Sequence, residues 1–185
     1  THLAAALATN DVVMSDLHRG SNASNIHIEI TFPVFAPSAP GSSPSNASPL
    51  GVVLLRLDPK RFLYPLVNSQ SIPSPSAEAV LGRHENGKVL ILNNLRHRTN
   101  TALNLSLPLD SPGRPAAQAI RAGKGGVFEG RDYRGVPVLT VFRLIPDSPW
   151  WLGVKVDRAE VLAPAQAETL RLTLSALALV FAVVG

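Results

Sequence analysis

Two short polar segments of this 185-residue chain carry the side chains best suited to bind a ligand. Leu95–Arg98 (LRHR) places two arginines and a histidine beside a predicted strand end, and Asp132–Arg134 (DYR) places three polar groups at the tip of a predicted hairpin. A guanidinium grips a carboxylate through two parallel hydrogen bonds, a phenol stacks or donates, and a carboxylate accepts from an ammonium group. Together these groups predict a site for an amino acid or a small organic acid.

The ligand-binding candidates are the polar side chains of these segments and one nearby indole, namely Arg96, Asp132, Tyr133, Arg134 and Trp150. An alternative stays open, in which Asp132 caps its own turn, Tyr133 packs, and the arginines are solvated or pair with Glu129. If the predicted site binds a small anionic or zwitterionic metabolite, we expect Arg96→Ala and Asp132→Ala each to lose binding and to leave the fold nearly intact, because a surface ion pair contributes only about 0–1 kcal/mol.

Other chemistry has little support in the sequence. The absence of cysteine excludes a thiolate zinc site and a cysteine nucleophile. No two of the five histidines have metal-site spacing on one element, since we place His18 in a loop and His27 on the polar side of its strand. The net charge is only +4 and its cations are dispersed, which argues against nucleic acid. We therefore expect no catalytic residue, no metal, no cofactor and no nucleic-acid partner.

The elements that must position the candidates are antiparallel strands separated by turns. Alternating apolar residues and turn signals predict strands at Val12–Leu17, Asn25–Phe35, Leu50–Leu57, Ala77–Arg83, Lys88–Leu92, Gly125–Arg131, Val136–Leu144 and Trp150–Asp157. Asn86-Gly87 and Asp132–Gly135 predict tight hairpin turns. Helices are predicted from Asp58-Pro59 to Val67 and over Pro115–Ala122, and a Pro/Ser-rich loop over Ala36–Pro49. The pattern is that of an α+β fold.

An apolar, uncharged run, Leu172–Gly185, ends the chain. A membrane span needs about 20 such residues, and a buried helix would show polar positions every third or fourth residue. We expect this run to be the first two-thirds of a transmembrane helix, entered by a continuous helix from Arg158. The chain also lacks an initiator methionine, so we expect it to be a piece of a longer protein.

Five segments carry a family resemblance: Leu50–Leu66, Ser76–Ala79 (SAEA), Leu95–His97, Gly130–Leu139 (GRDYRGVPVL) and Trp150–Glu160 (WWLGVKVDRAE). With them the chain resembles the extracytoplasmic double Cache, PAS-like sensor regions of bacterial transmembrane histidine kinases and diguanylate cyclases. The resemblance implies a PAS-like antiparallel sheet with flanking helices. It also implies that residues 1–67 are the C-terminal part of a membrane-distal module, 68–157 a membrane-proximal module, 158–171 a connecting helix, and 172–185 the start of the transmembrane helix.

The function implied by the resemblance is signal reception without enzymatic activity in this chain. A small molecule would bind outside the bacterial cytoplasmic (inner) membrane, in the periplasm, and a homodimer would transmit the change through the transmembrane helix. The output would be a cytoplasmic histidine kinase of a two-component system or a diguanylate cyclase. The alternative is a membrane-anchored periplasmic binding or assembly module with no signalling output.

Overall fold

The computed structural model describes residues 2–20, 25–36, 49–69, 73–111 and 113–184. The chain folds as two compact units, Thr1–Leu66 and Val67–Gly185. Each unit is built around an antiparallel sheet. Most of the loop predicted over Ala36–Pro49 lies outside the described residues.

The first unit is organised around one long strand. Its elements are α1 (His2–Thr9), β1 (Val13–Met14), β2 (His18–Arg19), β3 (Ile26–Phe35) and β4 (Pro49–Leu57), and α2 (Leu63–Asn68) follows. One edge of β3 pairs with β4, and its other edge pairs with β1 and β2. Ala6, Leu17 and Ile28 form part of the buried apolar interior of this unit.

Two predicted elements of the first unit differ from the structure. The strand predicted over Val12–Leu17 is replaced by the two-residue strands β1 and β2, which pair with different parts of β3. The helix predicted from Pro59 begins only at Leu63, after a run of turns. A helix begun at Pro59 would hold Pro65 in its interior, where the proline ring clashes with the preceding turn, whereas the observed start places Pro65 in the first turn.

The second unit holds a six-stranded antiparallel sheet. Its strands are β5 (Glu78–Glu85), β6 (Lys88–Ile91), β7 (Ser106–Pro108), β8 (Gly126–Arg131), β9 (Pro137–Leu144) and β10 (Trp150–Asp157). They lie in the order β7, β6, β5, β10, β9, β8, so that the last strand of the chain is at the centre. The short helix α3 (Pro115–Ala122) packs on β8 and β9. The strand β7 was not predicted, because it is short and follows a polar segment.

The turns of the second unit have the predicted geometry. Asn86 and Gly87 have φ angles of 50° and 70°, as the type I′ turn between β5 and β6 requires. Gly135 has a φ of 81° in the turn between β8 and β9, and its N–H donates to the Asp132 carbonyl over 3.0 Å. α3 ends at the left-handed Gly123. These turns fix the strand register and therefore which side chains meet across the sheet.

The helix α4 (Arg158–Val184) begins at the residue after β10 and is 27 residues long. At about 1.5 Å per residue it is roughly 40 Å long, which exceeds the roughly 30 Å hydrocarbon core of a bilayer. The most apolar stretch of α4 has a mean hydropathy of 1.3 and is not buried in the structure. α4 is thus long and apolar enough to cross a membrane.

Candidate functional site

A buried ionic cluster lies at the centre of the sheet of the second unit. Lys155 of β10 is directly opposite Glu78 of β5, and its Nζ lies 2.8 Å from Glu78 Oε2 and 2.7 Å from Asp132 Oδ2. The three residues are 2–8% exposed. A single buried charge is strongly unfavourable, so an ammonium at this position requires both carboxylates as partners.

Asp132 connects this cluster to the hairpin between β8 and β9. Its Oδ1 accepts the backbone N–H groups of Arg134 (2.8 Å) and Val136 (3.2 Å), and its Oδ2 accepts Arg134 Nε over 2.7 Å. Burial alone would raise the pKa of Asp132, but hydrogen bonds from Lys155 and Arg134 outweigh burial, and the pKa lies below its ordinary value. Asp132 therefore stays ionised and both caps its turn and holds two cations.

Tyr133 covers the cluster. Its hydroxyl donates to the Glu78 carboxylate, 3.1 Å from each oxygen, and the centre of its ring lies 5.1 Å from Lys155 Nζ. Burial, and next the negative charge of Glu78, raise the pKa of the Tyr133 hydroxyl. The phenol is therefore a neutral donor that fixes the orientation of Glu78.

The polar network continues from Asp132 to the start of α4. Arg134 Nη2 donates to Asp157 Oδ1, and Asp157 is the last residue of β10. The Asp157 N–H donates to Ser76 Oγ over 2.9 Å, and the Ser76 N–H donates to Glu160 of α4 over 3.0 Å. A displacement of Asp132 or Arg134 therefore acts on groups at the junction between the sheet and α4.

A cavity of about 40 Å³ adjoins the cluster between one face of the sheet and α3. Its apolar wall includes Val80, Ile91, Leu95, Leu107, Val138 and Phe142. The polar residues Arg114, Arg131, Asp132, Tyr133, Thr140 and Lys155 also border it, and the surface that they present to the cavity is almost entirely apolar. Because one water needs about 10–15 Å³ by this measure, the cavity has room for about three waters or a group of similar size.

Four of the five sequence-predicted site residues converge on this cluster. Asp132 and Tyr133 line the cavity, and Arg134 holds Asp132. The backbone N–H of Arg96 donates to Glu78, while its guanidinium donates to the Ser74 and Ala77 carbonyls over 3.1 and 3.2 Å. Trp150 lies at the other end of β10, opposite Arg83, away from the cluster.

One part of the sequence interpretation is wrong. We expected Asp132 to belong to a surface ion pair whose loss leaves the fold nearly intact, but its side chain is only 3% exposed and has two cationic partners. The reason is the register of β10, which places Lys155 beside the hairpin. Arg134 likewise pairs with Asp132 and Asp157, and not with Glu129.

Sequence reasoning missed Glu78, Lys155, Asp157 and Arg114, although a signal existed for Lys155. Side chains alternate along a strand, so Lys155 shares a face with Gly153 and Trp151. All three are buried in β10. A lysine in register with a buried tryptophan indicates a buried charge, and therefore buried carboxylates elsewhere in the chain.

The structure also corrects the placement of two histidines in the first unit. His18 lies in β2 directly opposite His27 of β3, and their ring centroids are 4.5 Å apart. His27 is 7% exposed and therefore buried, although we expected it on a polar face. With Glu29, two residues further along β3, these side chains bring three potential metal-ligand atoms within 4.8 Å of one another. The sequence expectation concerned histidines on one element, and it did not consider this pair, which lies on two neighbouring strands.

No protein-family model and no curated protein matches the chain. Solved structures do resemble it. The periplasmic sensory domain of the Campylobacter jejuni chemoreceptor Tlp1 is 19% identical with a TM-score of 0.55, over 84% of this chain and 52% of that one. The ligand-binding domain of the Pseudomonas aeruginosa amino-acid chemoreceptor PctB, in complex with L-Arg, is 16% identical with a TM-score of 0.52, over 88% and 61%.

A third similar structure is the extracellular domain of the putative histidine kinase rpHK1S-Z16, which is 10% identical with a TM-score of 0.53, over 86% of this chain and 60% of that one. The chain thus spans between 52% and 61% of the length of these three structures. The first is a periplasmic sensory domain, the second a ligand-binding domain and the third an extracellular domain. The chain therefore has an α+β fold similar to that of these receptor domains, and this is the fold class that its sequence predicted.

Proposed function

We propose that this chain is the signal-sensing region of a bacterial inner-membrane receptor, which binds a small carboxylate-bearing molecule outside the cytoplasm and transmits the change through α4. One observation carries the proposal. The cavity-lining Asp132 is joined through Arg134 to Asp157, and α4 begins at the next residue. A ligand that alters the cluster therefore acts on the start of a helix that is long enough to cross a bilayer.

The charges around the cavity favour an anionic or zwitterionic ligand. Four cations, Arg114, Arg131, Arg134 and Lys155, lie in or beside its wall, against three carboxylates, Glu78, Asp132 and Asp157. A guanidinium recognises a carboxylate through paired hydrogen bonds, and Arg114 is the cavity-lining arginine adjacent to α3. The volume favours small monocarboxylates and the smallest amino acids. The resemblance to PctB, which binds L-Arg, supports amino acids as a ligand class.

Signal transmission follows from competition within the cluster. A ligand carboxylate that approaches Lys155 or Arg134 takes hydrogen bonds from Asp132 and so changes the constraint on Asp157. The sheet then holds α4 in a different position. The ligand shifts the equilibrium between these two positions of α4 only by as much as its affinities for the two states differ. In a parallel homodimer, with residues 172 onward in the membrane, the movement reaches a cytoplasmic histidine kinase or diguanylate cyclase. The chain itself performs no chemistry in this scheme.

A binding experiment on the full chain in detergent micelles tests the ligand site. Small monocarboxylates and amino acids are screened by thermal shift, and positive compounds are titrated by calorimetry. Arg114→Met should weaken binding about tenfold or more, equivalent to about 1.4 kcal/mol, because it removes the guanidinium of an arginine that borders the cavity. The matched control is Arg143→Met, which removes an exposed arginine of β9 outside the cavity. Equal affinity in both variants would exclude this cavity as the site.

Membrane topology is tested separately. A reporter that is active only in the cytoplasm should be active when it is fused after a completed span, and inactive when it is fused within Thr1–Gln166. The reverse pattern would contradict the receptor topology. A correct topology without ligand binding or ligand-dependent output would favour the membrane-anchored assembly module instead.

A further inference from the structure

A second polar cluster lies in the first unit, and the proposed ligand site does not use it. Its members are His18, His27 and Glu29, with side chains 34%, 9% and 14% exposed. His27 and Glu29 are alternate residues of β3 and project from the same face, and β2 places His18 opposite His27. Two strands thus present two imidazoles and a carboxylate to one point.

Backbone hydrogen bonds determine which ring nitrogens are available. His18 Nδ1 lies 2.9 Å from the Asp16 carbonyl, and His27 Nδ1 lies 3.0 Å from the Asn25 carbonyl. A carbonyl oxygen only accepts, so Nδ1 carries the proton in both rings, and Nε2 of the neutral ring has a free lone pair. Metal-binding histidines in proteins characteristically donate their second ring N–H to a carbonyl or carboxylate in this way.

Both Nε2 atoms face the Glu29 carboxylate. His27 Nε2 is 3.1 Å from Oε1, and His18 Nε2 is 4.0 Å from Oε2. A lone pair and a carboxylate oxygen repel one another unless a cation lies between them. A second proton on His27 satisfies one such pair, whereas a single metal ion satisfies all three converging atoms at once.

The spacing suits a tetrahedral ion. Bonds of about 2.0–2.2 Å to nitrogen and oxygen place the ligand atoms of zinc about 3.4 Å apart, close to the separations of 3.1 and 4.0 Å in this cluster. The ring of His2 is centred 6.3 Å from that of His18, and water or His2 would complete the coordination. Gly20 leaves space for His27, since a Cβ at residue 20 would lie only 2.9 Å from His27 Cε1.

From these contacts we infer that His18, His27 and Glu29 form a binding site for a divalent transition metal ion of the zinc type. Imidazole and carboxylate ligands match this class of ion. Arg56 Nε lies 2.9 Å from Glu29 Oε1, but its side chain is 66% exposed and leaves Oε2 free. Arg56 is therefore a cation that competes with a metal ion for Glu29. A bound metal displaces Arg56, whereas a cluster that was only an ion pair would need Arg56.

Zinc and cobalt titrations of the full 185-residue chain in detergent micelles, after treatment with a chelator, test the inference. Zinc affinity is measured by competition with a chromogenic chelator, and cobalt geometry by its visible absorption. We expect one saturable site, loss of roughly 100-fold or more in affinity for His27→Gln and Glu29→Gln, and a comparable loss for the more exposed His18→Gln. His84→Gln, which removes an exposed histidine of β5, is the matched control and should leave affinity unchanged.

Arg56→Met separates a metal site from a simple ion-pair cluster. It should tighten zinc binding by up to about fivefold, because it removes the competing cation from an exposed pair. Far-UV circular dichroism identifies any variant that fails to fold. If His27→Gln does not fold, His18→Gln still tests the inference, because His18 is the more exposed ligand. Zinc binding weaker than about 1 mM, or equal affinity in wild type and all three ligand variants, would overturn the inference. Stabilisation by acid without stabilisation by zinc would overturn it too, because protons alone would then hold the cluster together.

Discussion

Replacing Lys155 by methionine tests the buried ionic cluster most directly. The change keeps a side chain of similar length and removes the ammonium that lies 2.8 Å from Glu78 and 2.7 Å from Asp132. Glu78 then keeps two neutral donors, the Tyr133 hydroxyl and the Arg96 N–H. Its charge becomes uncompensated at a position only 2% exposed.

The size of the effect follows from this burial. Removing one partner of a buried ion pair costs about 3–5 kcal/mol, whereas an exposed pair contributes about 0–1 kcal/mol. Asp132 retains Arg134, so the principal loss falls on Glu78. With a urea dependence of about 2 kcal/mol per molar, the unfolding midpoint should fall by roughly 1.5–2.5 M.

The measurement is urea unfolding in detergent micelles, followed by tryptophan fluorescence. Both tryptophans of the chain, Trp150 and Trp151, lie in β10 with Lys155, so the signal reports on the strand that is perturbed. Lys88→Met, at an exposed position in β6, is the matched control and should stay within about 0.5 kcal/mol of wild type.

A double variant isolates the cause of the loss. Glu78→Gln in the Lys155→Met background removes the uncompensated charge and keeps an acceptor for Tyr133. The double variant should therefore be more stable than the sum of the single changes, by about 0.5–3 kcal/mol. An unchanged midpoint for Lys155→Met would refute the reasoning, and additive losses would show that packing, and not charge, holds this position.

Two further predictions concern the hairpins of the second unit. Gly87→Val should cost about 1–3 kcal/mol, measured by the same unfolding assay, because Gly87 has a φ of 70° that a β-branched residue tolerates poorly. The control is Gly51→Ala, because a Cβ added at residue 51 would lie in open space. Equal unfolding midpoints for Gly87→Val and this control would contradict the turn assignment. Because the folded-state pKa of Asp132 is lowered, its stabilising contribution is complete above its ordinary value of 3.8 and is lost as pH falls through the folded value. The unfolding midpoint should thus fall more steeply with acid in wild type than in Asp132→Asn, and parallel profiles would disprove the linkage.

Much of the second unit was predictable because its signals are local. The Asn86-Gly87 turn, the alternation of Trp150–Asp157 and the Gly123 helix end depend on backbone preferences of adjacent residues. β7 was not predictable, since three residues after a polar segment form a strand only when β6 offers an edge. The helix α2 begins late because Pro65 is tolerated in its first turn and not in its interior, so this residue determines where the helix starts.

The same distinction between local signals and tertiary pairing applies to the candidate sites. The sequence by itself placed Asp132, Tyr133 and Arg134 in one hairpin and showed an apolar helix after the last strand. Only the tertiary structure set Lys155 opposite Glu78 and His18 opposite His27, because both pairs arise from the register between paired strands. A shift of one residue in register turns every side chain of a strand to the other face. The chemistry of both clusters was therefore decided by strand pairing, and residue type alone could not reveal it.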